Sequence, residues 1–352
     1  MLYSVQLLRA IAAILVVICH ATHKQGQLSG MGGSWEFGGS GVDLFFIISG
    51  FIMCHVTMHR NISVYEFLKA RVLRIIPLYW LLSLVALAVY CVAPSLVNSS
   101  GGTTSVLDSF ILFPTGDKFL IQTGWTLTYE FSFYLVFAAS LSFAWRRRLP
   151  FICATLFAIV LGGFLFEPSN PTLKFLTSPL LLEFAMGIGA YLYVCAVSDA
   201  SRLNVLLILI GAAALTYVAW VNLTEYRQLV YGVPFMLIFA GTVNAERAVR
   251  RLCAGFAGRV VTAIGAASYS LYLSHPFALS AASFLIKRYG VQHDPLVSIA
   301  IMVTTALLTG YACFVLVEVN LNRWVKSAFR KRDDKAAARS TDALETRETT
   351  WR

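Results

Sequence analysis

Charged residues are scarce in this sequence: Asp, Glu, Lys and Arg make up 13% of its 352 residues, against ~25% in soluble domains. With 58% hydrophobic residues and a mean hydropathy of +0.70, this excludes an ordinary soluble fold. No CxxC pair or Cys/His cluster occurs. The seven cysteines (Cys19, Cys54, Cys91, Cys153, Cys195, Cys253, Cys313) are scattered, mostly in apolar stretches, so neither a disulfide framework nor a metal site is expected. No internal repeat is found, and paired inverted repeats are common in transporters. The net charge of +10 is not gathered on one basic module, so nucleic acid is not an expected partner.

What the chain has instead is a succession of apolar runs, most of them long enough to cross a bilayer core of about 30 Å, with the fifth and eighth short. Ten are read, near 5–23, 41–58, 76–94, 124–144, 151–166, 175–197, 203–221, 229–245, 262–286 and 296–318. The expected fold is an all-α polytopic integral membrane bundle of about ten helices. One membrane domain fills 1–325, and a charged, disordered tail follows from 326 to 352. The first run is read as an uncleaved helix rather than a signal peptide, because the chain stays hydrophobic after it.

Ten spans put both termini on one side. With the termini inside, 21 of the 28 Lys/Arg fall in inner loops and the tail, and six fall in outer loops. The positive-inside rule therefore predicts a multi-pass protein of the cytoplasmic (inner) membrane with both termini cytoplasmic. The first outer loop, LSGMGGSWEFGGSG, is too rich in Gly and Ser for a helix. In the loop 95–123 the patch LDSFILFP is too short to span, and is read as re-entrant or interfacial.

Polar groups inside such a bundle are expensive and mark function. Arg9 and His20 are joined by RAIAAILVVICH. Eleven helical steps return to nearly the same face, about 16 Å further along the axis. Arg9 then lies near the inner surface and His20 in the outer half. Asp43, early in the second span, and Glu130, early in the fourth, stand at a depth comparable to His20. A histidine beside a carboxylate is what general-base catalysis requires, since the carboxylate fixes the tautomer and imidazole accepts a hydroxyl proton. The bland alternative for His20 is a structural bond to a backbone carbonyl.

At the inner level, FLKARVLRIIPLYW carries Arg71 and Arg74 on one helix face. Such residues are commonly topology determinants. Three arginines converging opposite an outer base also suit a phosphate site. Glu318 pairs with or positions one of them on this reading, whereas Arg146–Arg147–Arg148 reads as a stop signal. In the ninth span, GAASYSLYLSHPF places Ser268, Tyr272 and His275 inside the membrane, with Pro276 freeing a backbone carbonyl. His275 lines the cavity or serves structure; the sequence supports both. Glu183 is a further buried acid, and Gly187 and Gly189 beside it suggest close helix packing. Together these groups outline a tunnel, cationic inside and basic outside. It would suit coenzyme A, whose phosphates would rest on Arg9, Arg71 and Arg74 while the thioester arm reaches toward His20.

Five stretches occur in order: LLRAIAAILVVICH, GGSGVDLFFIISGF with Ser49, RVLRIIPLYW, GWTLTYEFSFY with Trp125, Glu130 and Tyr134, and ASYSLYLSHPF. In these the chain resembles the membrane-bound acyltransferase-3 family, most of all its ExoZ-type exopolysaccharide acetyltransferases, over residues 1 to about 325. The resemblance implies transfer of an acyl group, usually acetyl, from cytoplasmic acyl-CoA to a carbohydrate hydroxyl. It further implies that Arg9 and His20 are essential and that Arg71 and Arg74 belong to the donor side. Some relatives append a soluble esterase-like domain, which this sequence lacks. The last motif, VEVNLNRW around Glu318, departs from the family pattern in having no proline.

The reading is an acetyl-CoA-dependent O-acyltransferase without a metal, acting on an exopolysaccharide or other surface glycan, with polysaccharide biosynthesis machinery as a candidate partner. His20 is the base, Asp43 or Glu130 its orienter, and Arg9, Arg71 and Arg74 the coenzyme A contacts. Ser49, Trp125, Tyr134, Ser268, Tyr272, His275 and Glu318 line the substrate tunnel. The rival classes are a glycan transporter or flippase, and a non-catalytic assembly partner.

Overall fold

The computed structural model describes residues 2–30, 35–57, 60–97, 102–197, 201–223 and 225–329. Among these there is no strand, only one isolated bridge between Thr104 and Lys118. The expected disorder of the tail falls, from residue 330 onward, outside the described residues.

The helices run in order: α1 (Tyr3–Ser29), α2 (Gly41–Thr57), α3 (Val64–Val92), α4 (Pro94–Val97), α5 (Val106–Ile111), α6 (Gly124–Ser140), α7 (Trp145–Phe166), α8 (Pro171–Leu176), α9 (Leu182–Ala196), α10 (Ser201–Val221), α11 (Val233–Asn244), α12 (Glu246–Leu252), α13 (Phe256–Ala266), α14 (Ser268–Arg288) and α15 (Pro295–Cys313). Seven spans are long and apolar enough to cross a membrane, or eight if the bent pair Gln228–Asn244 and Glu246–Leu252 counts as one. Ten crossings are thus not established on length and composition. The other two expected spans correspond to α6, which has only 17 residues, and α14, which carries too many polar side chains.

Local chemistry sets the helix ends. The first N–H groups of α1 have no side-chain cap of their own. Glu246 of α12 supplies it, accepting from Tyr3 N at 2.8 Å and Ser4 N at 2.9 Å. α1 continues to Ser29 and stops at Gly30, whose φ of +68° suits glycine. It therefore extends well past the expected end at 23, and Glu36–Ser40 of the glycine-rich loop forms a 3-10 turn. α3 begins at a capping box, Ser63 with Glu66, twelve residues before the expected start. Arg71 and Arg74 are consequently inside a 29-residue helix rather than ahead of it. The ninth expected span is broken at Ala267, between α13 and α14.

The core is built on α2, α6 and α9. Phe133 stacks on Phe184 at 4.4 Å between ring centroids, and Phe46 meets Phe184 at 4.8 Å. These rings approach because α2 and α9 nearly touch. A Cβ on Gly50 would lie 2.1 Å from the Phe184 carbonyl oxygen, and one on Gly187 would lie 2.1 Å from that of Ile47. The expected small-residue packing is met by Gly187, whereas Gly189 has only ordinary contact with Met236. The 95–123 loop docks by its backbone: Tyr79 donates to the Ser109 carbonyl at 2.6 Å and Trp80 to that of Phe110 at 2.9 Å.

Replacing Gly187 by Leu should force α2 and α9 apart and destabilise the protein by about 2–4 kcal/mol or prevent its accumulation, since neither contacting group is a movable side chain. Thermal unfolding in detergent reads this directly, with Gly189→Ala as the tolerated control.

Candidate active site

A cavity of about 480 Å³ opens among α1, α2, α3, α6 and α14. Arg9, Ser49, Arg71, Arg74, Glu130, Tyr134, Ser268 and Tyr272 all line it, with Val5, Phe45, Phe46, Ile48, Ile52 and Met53 among the apolar walls. Arg9 donates through Nε to Ser268 Oγ at 3.1 Å. The Arg71 guanidinium lies over the Phe67 ring, 5.7 Å from its centroid, and its Nη1 is 3.8 Å from the Met53 sulfur. Its buried Nε has no hydrogen-bond partner among the described residues. Tyr269 anchors α14 to α3 by donating to the Ile75 carbonyl at 2.7 Å.

Among the described residues the only carboxylate lining the cavity is Glu130, which accepts from Ser49 Oγ at 3.2 Å and from the Tyr134 hydroxyl. Among the described residues, no carboxylate lies within 4.0 Å of Arg9, Arg71 or Arg74. Three guanidiniums face Glu130 across a largely apolar cavity, and Glu318 acts on Arg9 and Arg74 from outside it; Arg9 and Arg71 are half-buried, Arg74 is exposed, and the net charge of the group stays positive. Such a cavity is chemically complementary to a multiply charged anion.

His20 and His275 do not line the cavity. His20 is exposed on α1, and its ring centroid is 5.1 Å from that of His275 on α14. His275 is fully buried and lies 6.0 Å from Tyr272, which does reach the cavity and meets Phe45 edge-on at 6.0 Å. Rings thus connect the arginine cavity to His20.

The two expected orienters of His20 are both engaged elsewhere. Asp43 is fully buried and held by Arg227, with Nη2 to Oδ2 at 2.6 Å and Nε to Oδ1 at 3.0 Å. Arg227 also donates to the Gly39 carbonyl at 2.7 Å, tying the first outer turn to the top of α2. Glu183 is buried beside this pair. Glu130 belongs with the arginines. Trp125 meets Tyr129 edge-on at 5.9 Å, and Glu318 accepts from Ser270 Oγ at 2.5 Å; neither lines the cavity.

Two residues escaped the sequence reading. Arg227 passed as one more loop cation, although a buried Asp43 at the outer end of α2 requires a partner and Arg227 is a lone arginine in a short outer loop. Gln6 lines the cavity one turn before Arg9, and a polar residue at that spacing in an apolar helix was a usable signal.

Residues 2–317 match the sequence model of a family described as acyltransferase domain. The chain is similar to the exopolysaccharide production protein ExoZ of Rhizobium meliloti (strain 1021), at 29% identity over 333 residues, covering 87% of this chain and 95% of that protein. It is also similar to the acyltransferase MdmB of Streptomyces mycarofaciens, at 26% identity over 323 residues, covering 80% of this chain and 78% of that one. No solved structure matches it.

Removing Arg227 leaves the Asp43 carboxylate buried without its counter-ion. Arg227→Met should lower stability by about 2–3 kcal/mol, less than for a wholly buried pair because the Arg227 side chain is 37% exposed. The double variant with Asp43→Asn should recover part of that loss, as measured by thermal unfolding.

Proposed function

The chain belongs to the family of that acyltransferase domain, and from this premise we propose that it moves an acetyl group from cytoplasmic acetyl-CoA to a hydroxyl of an exopolysaccharide or other surface glycan. A membrane acyltransferase of the non-aminoacyl kind follows from the family and the apolar helices. The donor, the acyl group and the acceptor are our reading. Its main support is the buried, unpartnered Arg71 Nε in a cavity shared with Arg9 and Arg74, a cationic site wanting an anion. The glycan acceptor rests on similarity to a protein of exopolysaccharide production.

In this mechanism the coenzyme A phosphates sit against Arg9, Arg71 and Arg74 at the inner end. The pantetheine arm runs along the apolar wall of Phe45, Phe46 and Ile52 toward Tyr272. His20 takes the proton of the acceptor hydroxyl as its oxygen attacks the thioester carbonyl. The C–S bond then breaks, and His20 returns the proton to the departing thiolate. The rise of about 16 Å between Arg9 and His20 matches a donor that enters from one membrane face and reacts toward the other. Glu130, hydrogen-bonded to Ser49 and Tyr134, shapes the cavity wall and limits its positive excess. The same reading puts the protein in the cytoplasmic membrane with both termini inside.

The test is the O-acetyl content of extracellular polysaccharide in a strain lacking the gene. Restoration by wild type but not by a membrane-inserted His20→Ala is the expected result. Restoration by both would remove His20 from the chemistry, and unchanged acetylation in the deletion strain would exclude this acceptor. Lost secretion that His20→Ala rescues would favour transport.

A further inference from the structure

His20 has no orienting carboxylate at Asp43 or Glu130, yet an imidazole that takes up a proton needs an acceptor for its second N–H. The ring beside it is His275, with centroids 5.1 Å apart and planes tilted by 42°. His275 is fully buried, and its Nδ1 lies 3.2 Å from the Leu271 carbonyl oxygen. A carbonyl only accepts, so this bond requires the proton on Nδ1 and leaves Nε2 as a lone pair. That Nε2 is buried and has no partner among the described residues.

Position in the fold supports the pairing. α1 and α14 pack along much of their length, with Arg9 against Ser268 at one end and His20 against His275 at the other. The donor site and the base are therefore fixed to the same second helix. Glu36 and His23 are the other titratable neighbours of His20. Both are on or near the outer turn, whereas His275 connects through Tyr272 to the cavity.

We propose that His275 is a positioning residue for His20: an imidazole locked in one tautomer by the Leu271 carbonyl, whose free Nε2 accepts the second N–H of His20 when the two rings close from the 5.1 Å centroid separation seen here, and so aims the reactive nitrogen of His20 at the acceptor hydroxyl. The inference rests on the acyl-transfer reading above. His275 gains no proton in the cycle. The hydroxyl proton moves to His20 and from there to the coenzyme A thiolate, while the ester C–O bond forms and the C–S bond breaks. His275 replaces the carboxylate of more familiar pairs, which suits a buried site where an unpaired anion is costly.

The experiment compares purified wild type, His275→Gln, His275→Met and Glu36→Gln in vesicles, using acetyl-CoA and a polysaccharide acceptor, with acetyl-CoA affinity measured separately. Gln places a carbonyl oxygen near the position of Nε2, whereas Met fills the space with no comparable acceptor. The expected result is a kcat about a hundredfold lower for His275→Met, within tenfold of wild type for His275→Gln, with acetyl-CoA affinity unchanged in both. Glu36→Gln should stay near wild type. Equal loss in Met and Gln together with lost donor affinity would mean a structural role and overturn the inference. So would wild-type rates in both, or a loss confined to Glu36→Gln. Inactive wild type with every glycan tried would instead count against the acyl-transfer reading itself.

Discussion

Three guanidiniums gathered at one largely apolar cavity, with Glu130 in its wall and Glu318 nearby to offset them in part, are the constraint to which the rest of the bundle answers. Desolvating a positive charge is expensive, and here the half-buried Arg9 and Arg71 have no carboxylate within 4.0 Å among the described residues. Arg9 is steadied by Ser268, Arg71 by the Phe67 ring and Met53, and Glu130 supplies partial compensation from α6. The helices that supply these groups must stay in register. Tyr269 fastens α14 to α3 and Glu246 fastens the start of α1 to α12. An energetically unfavourable arrangement kept by so many supports is what a binding site for a large anion requires.

The reacting end is organised differently. Around His20 the structure places the His275 ring, with His23 and Glu36 nearby, while the carboxylate of Asp43 is consumed by Arg227 in holding the outer turn to α2. Charge is thus divided by depth: a cationic cavity, a pair of imidazole rings, and a separate ion pair for structure, to which the proposed reading assigns the donor, the proton transfer and the outer turn in that order. Tyr272 joins the first two parts.

Much of this was legible in residue spacing. Eleven residues from Arg9 to His20 put both on one helix face, and the structure turns both toward α14. The i, i+3 spacing of Arg71 and Arg74 likewise put both on the cavity. The partnerships of the acids were not legible, because Asp43 and Arg227 are 184 residues apart and depth alone cannot distinguish one polar neighbour from another. The break at Ala267 was hidden for a similar reason. Just before it Gly265 seats against the Gln6 carbonyl, where a Cβ would lie 2.1 Å away, a tertiary contact that spacing does not reveal. The early start of α3 was available in the Ser63–Glu66 capping box but outweighed by the polar residues that follow it.

The central claim is that the arginine cavity receives the phosphates of an acyl-CoA donor. Its most direct test is calorimetric titration of acetyl-CoA into the purified protein in nanodiscs, repeated with Arg71→Gln. The account predicts saturable binding to the wild type and a dissociation constant raised about tenfold or more in the variant, in keeping with loss of a charge-assisted contact. No binding to a folded wild type, or equal affinity in the two proteins, would contradict it.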